Sequence, residues 1–244
     1  MLLKDKKQTV VRLGLILFVG CLLIPSFASG ATLWEQLADP SQQNFVDQEF
    51  GDFPAFSTYM VNDATFTSAV SLSSITTWYT NNNGGAWTGV TTARLNIFND
   101  DGSGLPLGTD DPTGGTTVTV STIVNGDGLI EMTADIASLA LILAAGDYWF
   151  GLTPIADFGV FGQEFHQGAL GGVVGDQAAA RNPGAAFGLG PAWFQAGQTF
   201  GGVNFDSAFA ITGEDASVPE PGTLFLLSAG LVALATRRRL KKRT

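Results

Sequence analysis

Between Thr32 and Ile211 the chain carries few stretches with the three-to-four-residue apolar period of an amphipathic helix. Short runs rich in Val, Ile, Thr, Phe, Tyr and Trp are separated instead by clusters of Gly, Asn, Asp and Pro, the punctuation of strands and turns. Strands are expected at 44–50, 65–71, 75–80, 93–99, 116–124, 129–135, 147–153 and 205–212. Thr116-Thr117-Val118-Thr119-Val120 alternates with period two, as a half-buried strand does. Asn125-Gly126-Asp127-Gly128 between two such runs predicts a hairpin. Strands at this spacing, with no helices between them, predict an all-β fold, a jelly-roll-like β-sandwich. The run 137–145 suits a short helix or a strand equally. The glycine-rich 159–202, with Phe161, Phe165, Phe187, Trp193 and Phe194 spread through it, is expected to form long loops over one end of the sandwich.

The two ends break this pattern. Lys4, Lys6, Lys7 and Arg12 precede an apolar run from Leu13 to Ile24, Pro25 stops it, and Ala28-Ser29-Gly30 supplies small residues. These are the three parts of a secretory signal, with cleavage expected between Gly30 and Ala31 by signal peptidase after passage through the Sec machinery. A lipoprotein signal with Cys21 as the acylated residue is the competing reading; Phe18 is a poor fit to it, and the apolar run continues past Cys21. At the other end Val218-Pro219-Glu220-Pro221-Gly222 holds the chain extended, because two prolines two apart forbid regular helix. An apolar run at 224–236 and a basic cluster of Arg237, Arg238, Arg239, Lys241, Lys242 and Arg243 follow. The run is expected to be a short transmembrane helix. A dozen helical residues rise only about 18 Å, against about 30 Å of hydrocarbon, so it is short for a lasting anchor. Basic residues stay cytoplasmic, which puts the preceding domain outside.

This tail resembles the PEP-CTERM sorting domain of Gram-negative bacteria. The resemblance implies recognition and processing by an exosortase, a membrane-embedded cysteine transpeptidase, and a link to exopolysaccharide and biofilm-matrix production. The expected organisation is a signal peptide at 1–30, an exported β-sandwich at 31–217 and a sorting tail at 218–244, with an inner-membrane intermediate before arrival at the cell surface or outside the cell. Trp34-Glu35-Gln36, Asn62-Asp63-Ala64-Thr65-Phe66, Ile97-Phe98-Asn99-Asp100-Asp101-Gly102, Leu105-Pro106, Gly146-Asp147-Tyr148-Trp149-Phe150 and Ala208-Phe209-Ala210-Ile211-Thr212-Gly213 together resemble uncharacterised secreted bacterial β-sandwich domains. That second resemblance implies no defined activity.

Charge sharpens the division. Between Ala31 and Val218 only Arg94 and Arg181 are basic, against 20 Asp and Glu, a formal charge of -18 within a chain whose total is -10. Such a surface repels nucleic acid and anionic lipid, so no nucleic-acid partner is expected. The only cysteine, Cys21, lies in the leader, which leaves the exported domain without thiol chemistry or disulfides.

Candidate chemistry is sparse. Asn99, Asp100, Asp101, Asp110 and Asp111 gather oxygen donors in a turn-rich stretch of the kind calcium uses, although the spacing departs from an EF-hand; a solvated turn is the plainer reading. No cofactor is expected other than that calcium. His166 is the single histidine and no Gly-x-Ser-x-Gly elbow accompanies it, so no catalytic residue is assigned. Among the aromatic residues, Trp149 is expected in the core. Trp87 and Trp193 are expected in loops, where they would stack on sugar rings such as those of an exopolysaccharide. The chain therefore reads as a non-enzymatic structural or adhesive exported protein, with a carbohydrate-binding module and a secreted hydrolase as alternatives.

Overall fold

The computed structural model describes residues 30–81 and 87–216. The leader, the sorting motif, the expected transmembrane helix and the basic cluster lie outside them, as does most of the Asn-Gly stretch before Trp87. Among the described residues no helix is long and apolar enough to cross a membrane.

The all-β expectation holds. The strands are β1 (Ala31–Gln36), β2 (Asn44–Val46), β3 (Tyr59–Phe66), β4 (Val70–Asn81), β5 (Thr92–Asn99), β6 (Thr116–Val124) and β7 (Ile130–Asp135). They continue with β8 (Ile142–Leu143), β9 (Gly146–Pro154), β10 (Glu164–Gln167), β11 (Ala179–Arg181), β12 (Phe194–Gln195) and β13 (Phe209–Asp215). Among the described residues a single α-helical turn, α1 (Phe158–Phe161), accompanies them. The ladders run antiparallel along one curled path, β1-β13-β4-β7-β6-β5-β9-β3-β11-β12, with β2, β8 and β10 attached beside it.

One strand makes the fold a sandwich. The first half of β6 pairs with β5 (Leu95 opposite Thr116), and the second half pairs with β7 (Val120 opposite Ala134). β6 thus passes from one layer to the other. The layers meet over Leu72, Ile75, Leu95, Met132, Leu152 and Ile211, all buried. Phe150 of β9 stacks across the interface on Phe209 of β13, with ring centroids 6.4 Å apart.

Strand β4 shows how a local irregularity alters the pattern. Val70 and Leu72 face the core, and so do Ile75, Thr77 and Tyr79. The inward set changes from even to odd because Gly213 pairs with Leu72 while Thr212 pairs with Ser74, leaving Ser73 as an extra residue. A period-two reading loses phase there, which is why the expected segments 65–71 and 75–80 straddle a turn and cut one long strand in two.

The β6–β7 hairpin closes as anticipated. Asn125 N–H donates to Leu129 O at 2.9 Å, and Asn125 Oδ1 accepts from the N–H groups of Asp127 and Leu129, each at 3.0 Å. Gly128 takes φ +79° with open space around it, the left-handed position of a three-residue hairpin loop. Gly128→Ala is expected to cost about 1–2 kcal/mol through backbone strain alone, read as a lower urea midpoint at unchanged slope.

The glycine-rich segment does more than cap an end. Part of it forms β10, β11 and β12, and β11 extends the layer beside β3. It covers the outer face of β3 and β9, so Trp149 packs there against Val61, Ala179 and Trp193, and residues 149–154 are buried on both faces. A second cluster forms beneath it from Phe45, Val46, Met60, Ala178, Ala180, Ala196 and Phe205. The run 137–145 resolves into a 3-10 turn, Ala137–Leu139, followed by the two-residue β8. Ala31, expected to begin the mature chain, opens β1 opposite Gly213, with Gly30 just before it.

Candidate functional site

The oxygen-rich loop is taken apart by its own turns. Asp100 Oδ1 accepts from Gly102 N–H at 2.8 Å, and Asp101 Oδ1 accepts from Ser103 N–H at 2.9 Å. Asp110 Oδ2 accepts from Leu107 N–H at 3.0 Å, and Asp111 Oδ1 caps the turn at Pro112–Gly114 through Thr113 N–H at 3.0 Å. These bonds hold Asp101 and Asp111 below the usual carboxylate range: bonds from Ser103, side chain and backbone, act on Asp101, and bonds from Thr113, backbone and side chain, act on Asp111. Asn99 ends β5, paired with Tyr148. Among the described residues no three His, Cys, Asp or Glu side chains are grouped so as to hold a metal ion.

Trp87 and Trp193 require a correction. Both are buried, at 3% and 6% exposure, and they belong to different clusters. Trp87 packs on Phe161, ring centroids 5.8 Å apart. Trp193 packs on Phe98 at 5.9 Å, its Nε1–H donates to Asp110 O at 2.9 Å, and the Arg181 guanidinium lies 6.0 Å from its ring centre. Large apolar rings in long loops draw the loops down onto the sheet, because that buries the rings. These two offer no common face to a sugar.

Three features escape a reading of the sequence. The first is a buried polar network centred on Asp47. Its Oδ1 accepts from Met60 N–H (3.1 Å) and Thr153 Oγ1–H (2.7 Å); its Oδ2 accepts from Tyr79 O–H (3.1 Å) and faces His166 Nδ1 (3.1 Å). His166 Nε2 donates to Ala208 O at 2.8 Å, so both ring nitrogens are engaged by polar partners. Tyr79 O–H also contacts Leu152 O at 2.5 Å; burial, then the Asp47 charge, raises its pKa well above the ordinary tyrosine range. His166 is thus a structural pin joining β2, β10 and the segment before β13. Asp47 and His166 are too far apart in sequence for any local motif to mark the pair.

The second is a set of buried acids. Burial pushes Asp63 up to about 6, Asp206 up to about 7 and Glu164 up to about 10. Asp206 Oδ2 accepts from Gln36 Nε2–H at 2.6 Å and Val174 N–H at 2.9 Å. Neither oxygen of Glu164, nor Oδ1 of Asp63 or Asp206, has a hydrogen-bond partner among the described residues. The loop carrying Asp176 closes over Asp63 only because residue 175 is glycine: its φ is +83°, and a Cβ there would stand 2.0 Å from Asp63 Oδ2. Asp100, the one member of the predicted acidic loop to join this group, adds its charge to those raising Asp63 and Asp176.

The third is an open pocket of about 340 Å³ lined by Phe50, Phe53, Phe56, Phe158, Gln163 and Phe187. Phe53, Phe56, Phe158 and Phe187 remain 42–51% exposed. The Phe53-Pro54-Ala55-Phe56 spacing was visible in the chain, but nothing local distinguishes a core phenylalanine from an exposed one.

No curated protein matches the chain. A family match falls on the C-terminal tail, where the proline pair, the apolar run and the first arginines stand. The chain is thus an exported protein whose residues 217–239 are a PEP-CTERM protein-sorting motif, with an exosortase as its processing partner and the cell envelope as its destination.

Proposed function

We propose that the β-domain is a non-enzymatic structural or adhesive component of the cell envelope or extracellular matrix. The observation that carries this reading is the sorting motif attached to an all-β domain. The burial of His166 supports it, since the single histidine is tied at both nitrogens into packing. Asp63 and Asp206, the acids that influence one another, are 5% and 3% exposed and offer a substrate no open approach. The domain's charge of -18 supports an outward, nucleic-acid-free setting. The burial of Trp87 and Trp193 weakens the carbohydrate-binding alternative.

Two measurements test the proposal. In cells with an active exosortase, the mature protein is expected to have lost the 237–243 cluster by intact mass; retention of those residues on the surface form would contradict processing. Deletion of the gene is expected to weaken surface attachment or matrix cohesion, with the processed protein found in that fraction. Processed protein found free in the medium, with attachment unchanged, would overturn the adhesive role.

A further inference from the structure

The phenylalanine pocket has a chemistry that the sorting motif does not explain. Its walls come from three separate stretches: the 3-10 turn Pro54–Phe56 with the residues before it, the helical turn α1, and the loop carrying Phe187. The rings meet as a chain of edge-on and tilted pairs. Phe50 and Phe53 each lie 6.3 Å from Phe158, Phe53 lies 6.4 Å from Phe56, and Phe56 lies 5.2 Å from Phe187. Four of these five rings stay substantially exposed.

The backbone holds one wall against its own preference. Phe187 takes φ +55°, a left-handed conformation unfavourable for a bulky side chain. Asn182 secures that loop: its Nδ2–H donates to Ser57 O at 3.0 Å, and its Oδ1 accepts from Ala186 N–H at 2.6 Å. The strain is therefore braced to the stretch that carries Phe53 and Phe56.

Two carboxylates flank the rings. Asp52, next to Phe53, accepts from the N–H groups of Phe158 and Gly159, both at 2.9 Å. Asp157, next to Phe158, lies against Gly51, where an added Cβ would stand 2.4 Å from its Oδ1. Neither has a cationic partner among the described residues, whose ion pairs are Arg94–Glu49 and His166–Asp47. The faces of aromatic rings are electronegative and attract a cation placed over them. Exposed rings flanked by unpaired carboxylates therefore complement a ligand that is both apolar and positively charged. An anion would be repelled, and a neutral apolar group would leave the charge of the two carboxylates without a counter-charge.

We propose that this pocket binds a small organic cation, an alkylated ammonium group, with the phenylalanine rings around it and Asp52 and Asp157 supplying the counter-charge. The volume falls within the usual range for small-ligand sites, about 300–1,000 Å³. Gln163 provides one polar side chain in the lining, suited to a hydroxyl beside the ammonium group. The inference is independent of whether the domain is adhesive.

The test is calorimetric titration of the full-length protein, in a nonionic maltoside detergent at low salt, with choline and with its uncharged carbon isostere 3,3-dimethyl-1-butanol. Choline is expected to bind saturably at one site, with the isostere at least about 10-fold weaker. Phe56→Ala and Asp52→Asn are each expected to weaken choline several-fold while leaving the melting profile in place. Should Phe56→Ala unfold the domain, Phe53→Ala at the more exposed ring serves instead. Equal affinity for choline and the isostere, absence of saturable choline binding, or choline binding unchanged in folded variants would each overturn the proposal. Two natural sources are separable. Co-sedimentation with phosphatidylcholine vesicles, released by free choline, identifies a lipid headgroup; competition of choline by glucosamine oligomers identifies an amino sugar.

Discussion

Raising the pH from 5 to 7 is expected to destabilise the domain, by a few kcal/mol and a melting temperature lower by roughly 5–15 °C. Asp63, Asp206 and Glu164 carry this effect, because burial raises all three above their ordinary values, to about 6, 7 and 10. A carboxyl group raised in the folded state keeps its proton there after the unfolded chain has lost it. The unfolded state then binds fewer protons, and stability falls with rising pH by up to about 1.4 kcal/mol per pH unit for each group. For Asp63 and Asp206 the fall begins near the ordinary value of 3.8 and ends near 6 and 7; for Glu164 it begins near 4.5 and runs to about 10. Self-repulsion within a domain of charge -18 acts in the same direction. Asp39, Asp101 and Asp111 work oppositely: hydrogen bonds, from Ser41 for Asp39, hold them low, so the stability they add is lost only as pH falls below about 4. The maximum is therefore expected in mildly acidic solution. Thermal melts across pH check this, and a profile flat or rising from pH 5 to 7 would refute it. Glu164→Gln provides the internal control, since it removes one ionisation without removing volume and is expected to flatten the slope between pH 7 and 9.

Replacing Asp47 with alanine is expected to cost about 3–5 kcal/mol, the range for removing one partner of a buried charged pair. Four polar groups converge on that carboxylate, from Met60, Thr153, Tyr79 and His166. Its loss would leave a buried imidazole and a buried hydroxyl without their partner, at a place where β2, β3, β4, β9 and β10 meet. With native domains stable by only about 5–15 kcal/mol, such a loss is a large share of the whole. Asp47→Asn keeps the shape and one acceptor oxygen and is expected to cost less. Urea unfolding of both variants provides the comparison; an alanine variant within about 1 kcal/mol of the parent would mean that the network contributes specificity rather than stability.

Much of the strand content was legible because half-buried strands write their period directly into the chain. The 116–124 run matches β6 residue for residue, and the Asn-Gly-Asp-Gly loop after it is the turn that forms. Legibility failed where a strand is covered on both faces or carries an extra residue. β3 and β9 lose their alternation under the glycine-rich cover, and β4 changes phase at Ser73. The short β10, β11 and β12 exist because their partners are already in place; their sequences carry too few residues for any period to show.

The same division applies to the site residues. Asp100, Asp101, Asp110 and Asp111 stood out in the sequence as oxygen donors in a turn-rich stretch, and each accepts a backbone hydrogen bond within two or three positions. Trp87 and Trp193 lie outside the strands as expected but are buried, because loop and surface are not the same thing when a loop folds back over a sheet. By itself the sequence determined the destination of the protein, the all-β class and the acidic charge, since each rests on contiguous residues or on composition. The tertiary structure alone decided which acids are buried, where the single histidine is pinned and which phenylalanines remain open to solvent. Those outcomes depend on residues scores of positions apart meeting in space, and no local pattern records such a meeting.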